Sequence, residues 1–212
     1  MNSNQVWSAL KFRENLGSLI SKFNTLFLSD IAPIISNPNG DRKASLRAII
    51  ALDVPQVQIE IHKVLNEIEH VLRDNAHFLL LQSGFSEIES QTYLSSKFPS
   101  GFIKLSIINE LNTTFGLLNE LTVLAISHLN VLETNSGFGG MLRGLFQGYS
   151  NQVDGIAHVF GQGSMQIEVS SSLQEFNSAS ILVGQSIDSV SNLLHSVVLE
   201  KWNSFGAMAE NL

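Results

Sequence analysis

The sequence predicts an all-α protein: an antiparallel bundle of four or more long helices, with additional short helices and a Gly-rich apolar connection. Three observations predict this fold class. Apolar residues recur at alternating steps of three and four in four long segments. The four prolines lie where these segments begin or end, because proline is tolerated at helix ends and not inside them. No segment sustains the two-residue alternation of a half-buried strand.

Two helices are predicted before residue 53. The first covers 5–28, and a turn-rich stretch over 34–41 follows it. Asp41 is a good N-cap for a short helix through Leu52, because its side chain can accept from the free N–H groups of the first turn. The apolar stripe of the first helix consists of Ala9, Phe12, Leu16, Leu19, Phe23 and Leu26.

The second long helix is predicted to open at Asp53 and Pro55 and to end near Gln82. Asp is a preferred N-cap, and Pro needs no backbone donor in the first turn. Ser86 and Glu89 have the spacing of a capping box and open a short helix. The stripe of the second long helix consists of Val57, Ile61, Val64, Ile68, Val71 and Phe78, with Asn75 at its one polar step.

The two longest helices are predicted over Phe102–Glu133 and Met165–Phe205. The second of them is either one unbroken helix or is interrupted at Gly184 by a bend or a close helix crossing. The apolar stripes of the helices before and after Pro99 must each pack against another helix. We therefore predict that they share one core and that 1–212 forms one domain. The stripe of the first is Ile108, Leu111, Phe115, Leu118, Thr122, Ala125, Leu129 and Leu132. The stripe of the second is Leu173, Phe176, Ser180, Val183, Ile187, Val190, Leu194 and Val197.

Composition argues against several functions. The net charge is −7, and Arg42–Lys43 is the only adjacent basic pair, so we expect no nucleic-acid binding, which needs clustered cations. The chain has no cysteine, which excludes disulfides, thiolate metal sites and cysteine nucleophiles. Charged residues make up only 15%, so the polar surface is largely uncharged. Such a surface suits a protein that spends time against a partner or an apolar surface.

The compartment is not assigned from the sequence. The first residues, 1–5, are polar and uncharged, and no signal peptide is visible. The longest apolar stretch, 111–132, contains Asn112, Glu120 and His128, which would be costly in hydrocarbon. We therefore interpret it as a buried helix and expect no transmembrane span.

The segment 137–163 departs from the rest of the chain because it holds eight of the 15 glycines. One interpretation is a short helix that crosses the bundle tightly, with two Gly-rich turns. The other is a flexible apolar tip that touches a membrane, another subunit or an apolar ligand. The candidate contact residues are Phe138, Gly140, Met141, Leu142, Gly144, Leu145, Phe146 and Gly148.

A stripe of titratable side chains on the second long helix is the one candidate for metal chemistry. It consists of Glu60, Lys63, Glu67, His70, Asp74 and His77. Glu67 and His70 have the Glu-x-x-His spacing of di-iron bundles, but those sites need a second copy, and the chain shows none. A polar stripe opposite an apolar one is usually a solvated helix face. We assign no metal ligand, catalytic residue or cofactor.

These observations favour a non-enzymatic helical-bundle protein that acts through protein–protein contact or self-association. The alternative is a membrane- or lipid-interacting protein that uses the Gly/Phe-rich segment 137–163. A distant alternative is a metal-binding bundle that uses carboxylate and His ligands.

Overall fold

A computed structural model describes the backbone of residues 3–29, 31, 42–146 and 154–210, and the side chains of 11–27, 31, 42–133 and 170–203. The described residues form six helices and contain no strand, which confirms the all-α prediction. The helices are α1 (Ser3–Asn24), which continues as a π-helical turn (Thr25–Ser29), α2 (Arg42–Ile50), α3 (Val54–Gln82), α4 (Glu87–Lys97), α5 (Phe102–Phe146) and α6 (Asp154–Glu210). The predicted loop 34–41 and the predicted cap Asp41 lie outside the described residues.

Two predicted helix starts are confirmed. The Asp53 side chain accepts from the Gln56 N–H at 3.0 Å and caps α3. At α4, the Glu89 N–H donates to Ser86 Oγ, and the Ser86 N–H donates to the Glu89 carboxylate at 2.9 Å. This reciprocal pair satisfies two backbone donors that a helix start otherwise leaves free.

The two longest helices extend further than predicted. α5 continues past Glu133 to Phe146, and α6 begins at Asp154 instead of Met165. Much of the Gly-rich segment is therefore helical. Glycine costs roughly 1 kcal/mol per residue in a helix relative to Ala, but each added residue also gains a hydrogen bond once a helix has formed. α6 runs unbroken through Gly184, where an added Cβ would meet no described atom within 4 Å, so the predicted close crossing there is wrong.

The chain divides into two compact units. Unit 1 comprises Met1–Ala32, Asp53–Phe115 and Gln185–Leu212. Unit 2 comprises Pro33–Leu52 and Gly116–Gly184. Each unit is discontinuous in sequence, and α5 and α6 contribute to both. The single domain expected over 1–212 stays a prediction.

Unit 1 is held together by a core of aliphatic and aromatic side chains. Phe12 of α1 stacks on Trp202 of α6 at 4.5 Å between ring centroids. Thr114 Oγ1 lies 2.7 Å from Ser186 Oγ, and Lys201 Nζ lies 5.7 Å from the centre of the Phe102 ring. Residue numbers rise along α5 while they fall along α6, so the two helices are antiparallel here. Fully buried members of this core include Phe23, Phe27, Ile61, Leu65, Ile68, Leu80, Ile103, Ile107 and Leu111.

A buried carboxylate joins α3 to the start of α5. Glu69 is 8% exposed and accepts from the Gly101 N–H at 2.7 Å and from the Ile103 N–H at 3.4 Å. Gly101 adopts a φ of 81°, a left-handed conformation that favours glycine. Beside this contact, Arg73 donates to the carbonyl of Phe98. A side chain distant in sequence thus caps α5 and complements the positive end of its dipole.

The predicted stripes are correct in part and displaced in part. The inward face of α5 follows three-four steps, but three of its positions precede the predicted ones by one residue. Ile108, Thr122 and Leu129 are only half-buried, because Ile107, Leu121 and His128 take the central place. The buried residues from 107 onward are Ile107, Leu111, Thr114, Phe115, Leu118, Leu121, Ala125 and His128. In α3 the predicted core residue Phe78 is 36% exposed, while Ala76 and Leu80 are buried.

Unit 2 combines α2 with the part of α5 after residue 115 and the part of α6 before residue 185. Leu46 and Ile49 of α2 are 1% and 2% exposed and form the buried apolar face of this helix. Arg47 of α2 forms an ion pair with Glu133 of α5 at 3.1 Å. Ala179 and Val183 of α6 are buried.

Candidate functional site

Most of the predicted contact residues lie at the end of α5. They are Phe138, Gly140, Met141, Leu142, Gly144, Leu145 and Phe146. Their backbone is helical, while their side chains lie outside the described set, and so does Gly148 altogether. Their role in contact with a partner or a membrane stays a prediction. The candidate site that the described residues offer lies nearby in sequence, on α5 and α6 of unit 2.

Four large apolar side chains in unit 2 face solvent. Val123 and Ile126 of α5 are 64% and 42% exposed, and Ile181 and Leu182 of α6 are 62% and 51% exposed. Isolated apolar residues on a protein surface need no explanation, whereas several together indicate an interaction surface. Here they occur as two pairs on two helices of the same unit.

A groove between α5 and α6 has a volume of about 560 Å³, and Leu182 is the one of these four residues that lines it. Its lining extends over two helical turns of α5 and three of α6. The lining consists of Leu117, Glu120, Leu124, Ser171, Gln174, Glu175, Ser178, Ala179 and Leu182. Leucines supply an apolar floor, small residues keep it shallow, and two carboxylates are the only charged groups among these lining residues. A long, open groove of this shape fits a helix better than a small ligand, which is usually enclosed on most sides.

A buried histidine joins α5 to α6 in unit 2. The His128 side chain is fully buried, its Nδ1 lies 2.7 Å from Ser172 Oγ, and its ring stacks on Phe176 at 6.2 Å. Its Nε2 has no hydrogen-bond partner among the described residues. Burial, with a smaller contribution from the charge of Arg42, lowers the pKa of His128. The imidazole is therefore neutral at pH 7.

This Ser–His pair has the geometry of a packing contact. A nucleophile and its base need a third group that orients the base, and they need access for a substrate. No described carboxylate accepts from His128, and its ring is closed to solvent. The pair instead sets the register of α5 against α6, since a buried polar group favours the one pairing that satisfies it.

The titratable stripe on α3 is divided among separate contacts. Lys63 lies 2.7 Å from Glu60, and Lys22 of α1 lies 3.6 Å from Glu67. Among the residues whose side chains are described, no group of three or more His, Asp or Glu could hold a metal ion. His77 contacts α4, with Nδ1 at 2.7 Å from Ser90 Oγ and Nε2 at 3.3 Å from Glu87. His70 and Asp74 are exposed to solvent.

One stretch in the described part of the chain, covering α4 and most of α5, meets the length and composition of a membrane span. It is Glu87–Glu133, whose most apolar window of 18 residues has a mean hydropathy of 1.4 and is 33% buried. The core helix of a water-soluble bundle meets the same criterion, so composition alone does not separate the two.

Comparison with known proteins gives no assignment: no family model, no curated protein and no solved structure matches this chain. The groove in unit 2 is the candidate site that the described residues offer. Its apolar floor was missed from the sequence. Leu117, Leu124 and Leu182 all lie outside the predicted stripes. A second set of apolar positions on a helix that already has a core face indicates a second contact surface, and these leucines could have been recognised in that way.

Proposed function

We propose that this chain is a non-enzymatic contact protein that binds a protein partner through the groove between α5 and α6 of unit 2. The observation that carries the proposal is the apolar lining of this open groove, in which Leu182 is half exposed, on two helices that also expose Val123, Ile126 and Ile181. Surfaces of this kind are typical of protein contacts, since burial of apolar area is the main favourable term in association.

The exposed side chains can supply a useful part of the binding free energy. Complete burial of a Val, Leu or Ile stabilises by about 1.5–3 kcal/mol, and roughly half of that remains available to a side chain that is half exposed. Leu182, which lines the groove, offers roughly 0.8–1.5 kcal/mol before the costs of association, and a partner that also covers Val123, Ile126 and Ile181 would gain roughly 3–6 kcal/mol in all. The floor of the groove adds to this sum.

Site-specific photo-crosslinking in the native cells tests the proposal. A photoreactive phenylalanine analogue replaces Leu182 in the groove and, in a matched control, the exposed Asp188 further along α6. We expect a defined protein adduct from position 182 only, and an adduct of twice the chain mass would identify self-association. No adduct, or the same adducts from both positions, would contradict the proposal.

A second candidate function is membrane or lipid interaction through the segment 137–163. The support for it is that Glu87–Glu133, which precedes this segment, contains an 18-residue window with a mean hydropathy of 1.4. Liposome flotation tests it with Phe138, Leu142 and Phe146 changed together to Ser. The matched control is I88S, which removes a side chain that is 77% exposed on α4. Wild-type protein should float and the triple variant should not, and this function is lost if wild type stays at the bottom of the gradient.

A further inference from the structure

The groove in unit 2 has a definite charge. Glu120 on α5 and Glu175 on α6 line it, and no Lys, Arg or His is among the described residues that do so. Both carboxylates are exposed, and neither forms an ion pair or a hydrogen bond with a described residue. An apolar floor between two unpaired carboxylates favours an occupant that combines apolar anchors with positive charge.

α2 shows how unit 2 already receives a helix of that chemistry. Its sequence, RKASLRAII, has three basic residues and no acidic one. Leu46 and Ile49, three positions apart, are buried, and Arg47 pairs with Glu133 of α5 at 3.1 Å. Unit 2 thus holds a basic helix that buries apolar residues at helical spacing, and the α5 helix that carries Glu120 pairs with it through Glu133.

We propose that the groove binds a basic amphipathic helix of a partner protein, an inference that depends on the contact function proposed above. The lining reaches from Ser171 to Leu182 along α6, about 16 Å, so the partner helix needs about eleven residues or more. Apolar anchors at steps of three and four lie over Leu117, Leu124 and Leu182. Lys or Arg residues beside those anchors pair with the carboxylates of the groove.

Charge argues against the two other occupants. A second copy of this chain carries a net charge of −7, and docking groove to groove would bring Glu120 and Glu175 against their own counterparts. An anionic lipid surface attracts basic residues and is repelled by these carboxylates. A cationic helix is the occupant that turns both Glu residues into favourable contacts.

Fluorescence anisotropy with two designed peptides tests the proposal. The first is a labelled helical peptide of about fourteen residues with Leu at steps of three and four and Lys beside them, and the second replaces every Lys by Glu. We expect the full-length protein to bind the basic peptide with an affinity that falls as salt rises, and to bind the acidic peptide at least about tenfold more weakly. The double variant E120K/E175K should reverse this preference, while the matched control D188K should retain it. Circular dichroism establishes that each variant is folded.

Several results would overturn the proposal. One is equal binding of the two peptides, and another is an unchanged preference in E120K/E175K. A third is sedimentation of the wild type as a dimer that L182D dissociates, because the groove would then hold a second copy. If the basic peptide fails to bind while the photo-crosslink from position 182 persists, the partner chemistry is wrong and the contact function stands. If both fail, both proposals are wrong.

Discussion

Replacing Glu69 by Gln should destabilise the start of α5. The carboxylate is 8% exposed and accepts from two backbone N–H groups, one at 2.7 Å from Gly101 and one at 3.4 Å from Ile103. A hydrogen bond to a charged acceptor contributes about 1.5–3 kcal/mol, and a buried donor left without an acceptor costs about 1–3 kcal/mol. A Gln amide keeps one oxygen but turns an NH₂ group toward the second donor. We therefore expect E69Q to lower the free energy of unfolding by about 1.5–3 kcal/mol.

Urea denaturation followed by circular dichroism measures this loss, and hydrogen exchange at the Gly101 and Ile103 amides localises it. The matched control is E67Q on the same helix. Glu67 is half exposed and lies 3.6 Å from Lys22, so its ion pair is worth no more than about 0.5 kcal/mol. The reasoning is refuted if E69Q costs no more than E67Q, or if the two amides exchange at the wild-type rate.

Three further predictions follow from the described packing. Because burial lowers the pKa of His128, the folded state binds fewer protons than the unfolded state below about pH 6.5. The wild-type urea midpoint should therefore fall as pH drops from about 7.5 to about 5.5, and H128L should show a flatter dependence. F27A removes a fully buried ring and should cost about 3–5 kcal/mol in urea denaturation, whereas F78A should cost less than about 1 kcal/mol. G140A and G144A lie within α5 and should each raise stability by about 0.5–1 kcal/mol in thermal denaturation.

Each of these three has an opposing outcome. A wild-type midpoint that does not change with pH would contradict a buried neutral imidazole at position 128. Equal losses for F27A and F78A would support the predicted stripe of α3 over the observed burial. Destabilisation by G140A or G144A would indicate that another backbone packs against that face, as one interpretation of the Gly-rich segment holds.

Features that depend on local chemistry were predicted well. Asp53, Ser86 and Glu89 cap their helices as expected, because each donor and acceptor lies within three residues of its partner. The core face of α5 was displaced by one residue at three of its eight predicted positions, 108, 122 and 129. Ile107 and Ile108 are adjacent and both apolar, so the spacing of apolar residues does not indicate which of them is buried. Contact with other helices determines this.

Features that depend on distant contacts were not predicted. Glu69 belongs to a stretch of α3 whose charges looked like a solvated face, yet its partners lie 32 and 34 positions further along the chain. The groove arises only when Leu117 and Leu124 of α5 lie beside Leu182 of α6. The helical extension of α5 to Phe146 was not predicted, because its glycines indicate a helix end. A helix that has already formed can nevertheless continue through them, since each added residue gains a backbone hydrogen bond.

Thiol accessibility tests the central claim, an open groove in the isolated protein, most directly. The chain has no cysteine, so each single-Cys variant carries one reporter. Leu182 in the groove is 51% exposed, while the adjacent Val183 is fully buried. The account predicts that L182C reacts with a maleimide nearly as fast as it does in urea, and that V183C reacts at least about a hundredfold more slowly. Equal protection of both positions would mean that the chain itself covers the groove, and would contradict the account.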